Sequence, residues 1–130
     1  MSLEEGLKAA LAADGTVNGL VSGRIYPEIM SESVTYPAIS YTRISTVPWQ
    51  ILTGVATFTQ VRIQIDCWAS SYSGVKALAS AMKNAIHGVR ALGSVDIEHC
   101  FMVSQQDLSQ IDGDREDRRV SMDFMVYLHE

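Results

Sequence analysis

FTQVRIQIDCW, residues 58–68, alternates apolar and polar side chains as a β-strand with one buried face does. The side chains on the apolar side are Val61, Ile63, Ile65 and Cys67. Those on the polar side are Gln60, Arg62, Gln64 and Asp66. We therefore expect a sheet strand that packs on one face and meets water on the other.

A helix is predicted directly after this strand, over Ser73–Arg90. The stretch Ser70–Gly74 ends the alternation, and apolar residues then recur at helical spacing. They are Val75, Leu78, Ala79, Met82, Ile86 and Val89. This helix can lie across the apolar face of the strand.

The rest of the chain predicts an α+β fold. Ser2 and Glu5 have capping-box spacing for a first helix that ends at Asp14–Gly15, and Val17–Val21 predicts a short helical turn. Further strands are predicted at Ala38–Ser45, Val95–Val103 and Val120–Leu128. In the second of these, an apolar side of Val95, Ile97, His99, Phe101 and Val103 alternates with Asp96, Glu98, Cys100 and Met102. In the third, Val120, Met122, Phe124, Val126 and Leu128 point one way and Ser121, Asp123, Met125 and Tyr127 the other.

Residues 1–130 are expected to form one domain. It contains an antiparallel sheet of about four main strands, packed on one face by two helices. A long β-hairpin loop, Thr46–Thr57, joins two of the strands, and Gln105–Arg119 is predicted to be a polar connection.

Composition limits the function. The net charge of −5 disfavours close binding to nucleic-acid phosphate, although DNA can slide past a wall that binds it weakly. Neither a secretory signal nor a membrane span is predicted, which favours the cytosol as the site of synthesis. Cys67 and Cys100 lie in separate predicted strands and are expected to be reduced, packed thiols.

No residue pattern predicts a catalytic, cofactor-binding or metal site. Asp112–Arg119 is acidic but interleaved with arginines, and it lacks the EF-hand spacing. There is no nucleophile elbow, phosphate-binding glycine loop or zinc-ligand spacing. We expect His87 near a helix end and His99 on an apolar strand face.

Two segments are candidate interfaces instead. The hairpin loop is rich in apolar side chains, and Trp68 is expected to be exposed with them. The residues of this apolar set are Val47, Trp49, Ile51, Leu52 and Trp68. The mixed-charge set is Asp112, Asp114, Arg115, Glu116 and Arg118. A second possibility stays open for the apolar loop, which is that Trp49 folds back onto the domain's own core.

Five segments resemble, in order and spacing, the phage tail-completion (tail-to-head joining) family. They are the N-terminal helix, Arg24–Pro27, Tyr36–Tyr41, Val61–Ala69 running into an alanine-rich helix, and Arg119–Tyr127. The resemblance spans nearly the whole chain, and Val-x-Ile-x-Ile-Asp-Cys-Trp-Ala is its most specific part.

The resemblance implies a structural protein that terminates the tail tube and joins the tail to the head. It implies a homo-oligomeric, hexameric ring similar to tail terminators, contacts with the tail tube protein and the head connector, and DNA passing through the lumen without specific binding. Assembly would take place in the host cytoplasm, and the protein would end in the tail or neck of the virion. The family supplies no catalytic residues.

The alternative is a small ligand-binding or enzymatic α+β domain with a pocket between helix and sheet. Such a site needs convergent polar groups in a concave surface. The sequence shows no such group of residues.

Overall fold

The structure is a computed structural model. The backbone is described for residues 2–28, 35–50, 57–108, 110–112 and 115–128. Within these ranges, side chains are described except at 49, 50, 57, 110–112 and 115–117.

Side-chain caps fix the ends of the helices. Helix α1, Leu3–Ala13, begins where Ser2 Oγ accepts the Glu5 N–H at 3.2 Å, half of the predicted capping box. Asp14 then ends α1 and caps α2, Gly15–Val21, by accepting the N–H groups of Thr16 and Val17. The third helix, α3, Tyr72–Ile86, is capped by Ser71. The expectation of two helices was wrong, because the short predicted turn is a third helix.

The main sheet has the strand order β1-β2-β3-β8-β6. Its strands are β1 Ile25–Pro27, β2 Ala38–Gln50, β3 Thr57–Ala69, β6 His99–Asp107 and β8 Arg115–Leu128. The four long strands pair antiparallel, as predicted, but β1 runs parallel to β2. The sheet is therefore mixed, and the fully antiparallel prediction was wrong about its edge.

The hairpin of β2 and β3 is longer than predicted. Its register runs from Ala38 opposite Trp68 to Gln50 opposite Thr57, with a shift between Arg43 and Ser45. Half of the predicted loop, Thr46–Gln50 and Thr57, is therefore strand, and 51–56 remain between the two strands, outside the described residues. Ile44 is the extra residue at the shift, which explains why its position is out of phase with Ile39 and Tyr41.

The prediction of one strand over 95–103 was wrong in extent, and its apolar side holds at Ile97, which is buried, but not in β6. A small hairpin of β4, Ala91–Leu92, and β5, Val95–Asp96, precedes β6. In β6 the buried side chain is Cys100, whereas His99 is exposed and Phe101 half-buried. Apolar residues occupy both sides of this segment, and its register shifts between Met102 and Ser104, so alternation alone could not identify the inner side.

The predicted connection Gln105–Arg119 is mostly strand. β6 continues to Asp107, and β7, Gln110–Asp112, pairs antiparallel with the beginning of β8. Backbone pairing of β7 with the mixed-charge beginning of β8 has overridden the low strand propensity of these residues.

All three helices contribute to one core on the inner face of the sheet. From β3 and β8 it contains Val61, Ile63, Ile65, Cys67, Val120, Met122, Phe124, Val126 and Leu128. From α3 it contains Val75, Leu78, Ala79, Met82 and Ile86, which confirms the predicted stripe. None of the described helices is both long and apolar enough to cross a bilayer.

Gly6 lets α1 approach the β4–β5 hairpin closely. A Cβ at this buried glycine would meet the backbone oxygen of Leu92 and the side chain of Val95. Gly93, in the turn of the same hairpin, has a positive φ of 61°. The close approach closes one end of the core around Leu92.

Candidate assembly surfaces

The outward side of β3 and β8 forms a surface that we call the open face. Its residues alternate with the inner-face residues of the same strands. They are Gln60, Arg62, Gln64, Asp66 and Trp68 on β3, and Arg119, Ser121, Asp123, Met125 and Tyr127 on β8. The buried helix residues belong to the core on the other side of the sheet. The open face is therefore the broad surface that the described helices leave uncovered.

Charged side chains on the open face pair across the strands. Arg62 lies 2.5 Å from Asp123, which also accepts a hydrogen bond from Ser104 at 3.3 Å. Arg119 lies 3.0 Å from Asp66, a residue only 8% exposed. Cross-strand pairs of opposite charge stabilise a sheet and reduce the net field above it. This face consequently offers few unpaired charges to a polyanion.

Asp66 is the carboxylate that forms an ion pair with Arg119. Its Nη2 donates to Asp66 Oδ2, while its Nε is buried with no hydrogen-bond partner among the described atoms. Gln64 Nε2 also donates to both carboxylate oxygens of Asp66 at 3.2 Å. Asp66 thus links two strands through one nearly buried carboxylate.

Trp68 lies half-buried at one end of the open face. Its indole N–H donates to Ser40 Oγ at 3.1 Å, and the Tyr36 ring stacks against it with centroids 6.2 Å apart. The Arg119 guanidinium lies 4.9 Å from the indole centroid. These contacts hold the ring in one orientation, so any partner that touches Trp68 meets a preformed surface.

A second aromatic cluster lies at the opposite end of the open face. Tyr127 contacts Phe58 and Phe101, with centroids 6.2 and 6.0 Å apart, and Phe101 contacts His99 at 5.1 Å. Three strands contribute these rings, none of which belongs to the buried core. The alternation of the last strand predicted Tyr127 on the side opposite the apolar residues, whereas Phe101 was expected on the apolar side of its strand.

A cleft of about 310 Å³ lies at the side of the sheet. It is lined by Glu4, Pro27, Glu28, Tyr41, Thr42 and Arg43. Arg43 forms an ion pair with Glu4, and Arg43 Nε donates to the same carboxylate at 2.8 Å. Burial, together with the negative charges of Glu4 and Glu5, raises the pKa of Tyr41 above its ordinary value. The Tyr41 hydroxyl is therefore protonated at neutral pH and is not an activated nucleophile.

Both cysteines are free and buried, as the sequence predicts. Burial raises the pKa of Cys100 to about 12, and burial together with the nearby Asp66 charge raises that of Cys67 further. His87 Nδ1 accepts the Met102 N–H at 3.2 Å. Within the part of the chain that the structure describes, no three His, Cys, Asp or Glu side chains form a group able to hold a metal ion.

The apolar candidate residues lie along the β2–β3 hairpin. Val47 is an exposed residue of β2, and the backbone of Trp49, also in β2, pairs opposite Phe58. The side chain of Trp49 and the whole of Ile51 and Leu52 lie outside the described residues. Their role as an interface remains a prediction.

The mixed-charge candidates lie at the other end of the sheet. Asp112 ends β7 and pairs through its backbone with Arg115, the first residue of β8. Glu116 follows in β8, and Arg118 is a half-buried residue opposite Ala69. Asp114 lies outside the described residues, as do the side chains of Asp112, Arg115 and Glu116. The described backbone of this set therefore lies at the end of the sheet opposite to Val47.

Several exposed apolar residues were missed from the sequence. They are Ile44 in β2, Tyr72 at the beginning of α3, Val103 in β6 and Leu108 directly after β6. Ile44 and Val103 are the extra residues at the two register shifts. The out-of-phase position of Ile44 was the signal that could have identified it.

Comparison of the fold with solved structures finds a chain in the virion of a native gene transfer agent particle. The match has a TM-score of 0.73 and covers 99% of this chain and 96% of that chain. The sequences are 17% identical, so the likeness concerns the fold alone.

A search of curated proteins finds no match. The family model described as tail completion protein gp17, in contrast, matches residues 5–129. That span contains the open face and both sets of candidate interface residues. The chain belongs to the tail completion protein gp17 family, and it is a structural component of a phage-type tail.

Proposed function

We propose that this protein terminates the tail tube and joins the tail to the head, acting as a closed ring of identical subunits. The observation that carries the proposal is the family match over residues 5–129, which spans every described strand of the sheet and the open face. Tube termination requires a subunit that contacts copies of itself and two different neighbours, the tube protein and the head connector. We assign these contacts to the surfaces outside the core.

The uncovered surfaces have the chemistry that such contacts need. Val47 is exposed on β2, and aromatic rings lie at both ends of the open face. Exposed aromatic and apolar groups beside satisfied polar ones are typical of protein interfaces. We assign Val47, Trp49, Ile51, Leu52 and Trp68 to contact with a neighbouring subunit or the tube.

The charge balance fits a passage for DNA. The chain has a net charge of −5, and on the open face Arg62 and Arg119 are paired with carboxylates. A wall with few free cations gives DNA phosphates little to bind, so the polyanion can slide. We assign the mixed-charge set around Asp112–Arg118 to the lumen or to a second ring contact.

A structural role agrees with the chemistry of the described residues. The cleft beside β2 has its arginine and one of its glutamates paired with each other. Both thiols are buried with raised pKa values, which keeps them protonated. We therefore propose that the protein acts through assembly in the host cytoplasm and remains in the tail or neck of the finished particle.

Deletion of the gene tests this proposal. We expect electron microscopy to show heads without tails, together with detached tubes of uncontrolled length. A plasmid copy of the wild-type gene should restore joined tails of uniform length. Normal, attached tails in the deletion strain would overturn the proposal.

A further inference from the structure

The large apolar side chains that are exposed in the described residues fall into two groups. On β2 they are Ile44, 50% exposed, and Val47, 43% exposed, which together we call the β2 patch. The other three are Tyr72, Val103 and Leu108, exposed by 60, 46 and 42%, which we call the β6 patch. Tyr72 of α3 is placed near β6 by Lys76, whose Nζ lies 5.4 Å from the Tyr72 centroid and 2.6 Å from Asp107. A head-to-tail contact between identical subunits needs two different surfaces of this kind.

Each patch lies beside a length of strand with an open edge. β1 pairs only with Ile39–Tyr41 of β2, so no described strand lies beside the outer edge of β2 from Thr42 to Gln50. At the other side of the sheet, Gly88 N–H donates to Cys100 O and His87 Nδ1 accepts from Met102.

These two bonds cover the first part of the outer edge of β6. In the described structure, no strand pairs with the rest of that edge, Val103–Asp107, whose last residue contacts Lys76 of α3 through its carboxylate. Open strand edges pair readily with other strands unless something blocks them. In β2, Pro48 lacks an N–H and removes one donor from the open length.

We infer that the open edge of β2 in one copy pairs with the open edge of β6 in the next copy, bringing the β2 patch against the β6 patch. This inference rests on the ring of the proposed function and specifies its subunit contact. In the sheet, β2, β3, β8 and β6 alternate in direction, so β2 and β6 are antiparallel to each other. The rotation axis of the ring would lie roughly along the strands, and rotation about it leaves the strand directions unchanged. β2 of one copy and β6 of the next are therefore also antiparallel, like the other pairs of long strands.

The two open lengths are staggered along the strands. Thr46, the middle of the β2 length, lies at the level of Val126, because Val61 pairs with both residues. Gln105, the middle of the β6 length, pairs with Met122. Since these two β8 residues are four positions apart, the stagger is about 13 Å at about 3.3 Å per residue.

This stagger has the size that a closed ring of tilted strands requires. Four long strands spaced about 4.8 Å apart make each copy about 19 Å wide along the ring. A shift of about 13 Å over that width corresponds to a strand tilt of about 35°, the lower end of the range for closed barrels. In this arrangement β1 and the neighbour's β6 lie end to end along the same edge of β2, without overlap.

Cross-linking in assembled particles tests the inference. The double variant Thr46→Cys/Gln105→Cys introduces two thiols at exposed positions that would lie opposite each other between copies. The native thiols are buried with raised pKa values, so they do not compete. Particles are purified with the variant as the only copy and treated with a short bis-maleimide. The products are then separated under denaturing conditions.

We expect a ladder of multimers from the double variant and only monomers from Thr46→Cys or Gln105→Cys alone. Dimers from either single variant would overturn the inference, since they would show that like edges pair with each other. Monomers from the double variant in particles with normal, joined tails would also overturn it while leaving the ring intact. Particles that do not contain the wild-type protein would contradict the proposed function itself.

Discussion

The two faces of β3 and β8 differ although they are built from alternate residues of the same strands. On the inner face, Ile63, Ile65 and Phe124 are at most 1% exposed and lie under three helices. On the open face, Arg62, Asp66 and their partners form ion pairs and aromatic contacts that no described helix covers. The inner face accounts for the fold, whereas the open face and the strand edges are the surfaces left for assembly.

The largest expected effect is on the inner face. Phe124→Ala should reduce the free energy of unfolding by about 3–5 kcal/mol, since it removes a fully buried ring and leaves a cavity. The adjacent half-buried Met125 on the open face is the matched control, and Met125→Ala should cost less than about 1 kcal/mol. Urea denaturation followed by circular dichroism measures both. Equal losses would contradict the distinction between the faces.

Helix packing over the inner face gives the next effect. Gly6→Ala places a methyl group against the Leu92 carbonyl and should reduce stability by about 1–3 kcal/mol. Gly19→Ala is the control, because that glycine lies in α2 with nothing within 4 Å of its Cβ position. Here we expect a gain of about 0.4–1 kcal/mol from reduced chain entropy. Unfolding midpoints for the two variants should therefore move in opposite directions.

The ion pairs of the open face should contribute less than the core. Asp66→Asn removes the charge that faces Arg119, whose side chain is 28% exposed, and we expect a loss of about 1–2 kcal/mol after allowing for solvent screening. Asp107→Asn, which breaks the exposed contact with Lys76, is the control and should leave the unfolding midpoint unchanged within error. A larger loss at Asp107 than at Asp66 would contradict this order.

Substitutions of the exposed residues at the strand edges should change the free energy of unfolding least and disrupt assembly most. Ile44→Glu and Val103→Glu change exposed residues at the two register shifts, and each should alter the free energy of unfolding by less than about 0.5 kcal/mol. Because a buried, unpaired carboxylate is costly, either variant should prevent the subunit contact proposed above. Tail attachment is then measured by electron microscopy in a strain with the variant as its only copy. The exposed Ser80→Glu on α3 is the control and should support normal attachment.

Periodicity predicted the central part of the fold well. Alternation in β3 and β8 and the helical stripe of α3 identified the inner-face residues, because each pattern is long and has a single clean period. In β6 the expected apolar side, with His99 and Phe101, is not the buried one, since Cys100 and Met102 are as apolar as the residues beside them and the register shift is invisible in the sequence. The parallel pairing of β1 with β2 joins residues fourteen positions apart, and no local sequence pattern predicts it.

The candidate surfaces were only partly predictable. The apolar composition of the β2–β3 hairpin loop identified it as a candidate interface, and Val47 is exposed there. Tyr72 and Leu108 were not singled out, because single apolar residues at a helix start or a strand end give no periodic signal. That Leu108 and Ile44 lie toward opposite edges of the sheet follows from the strand order, which only the folded sheet reveals.

Locating the protein in the finished particle tests the central claim most directly. A cryo-electron microscopy reconstruction of the head–tail junction can be compared with the fold of this chain. We predict a single closed ring of copies between the last layer of the tail tube and the head connector. Density for the chain at the distal tip of the tail, or along the tube, or nowhere in the particle would contradict the account.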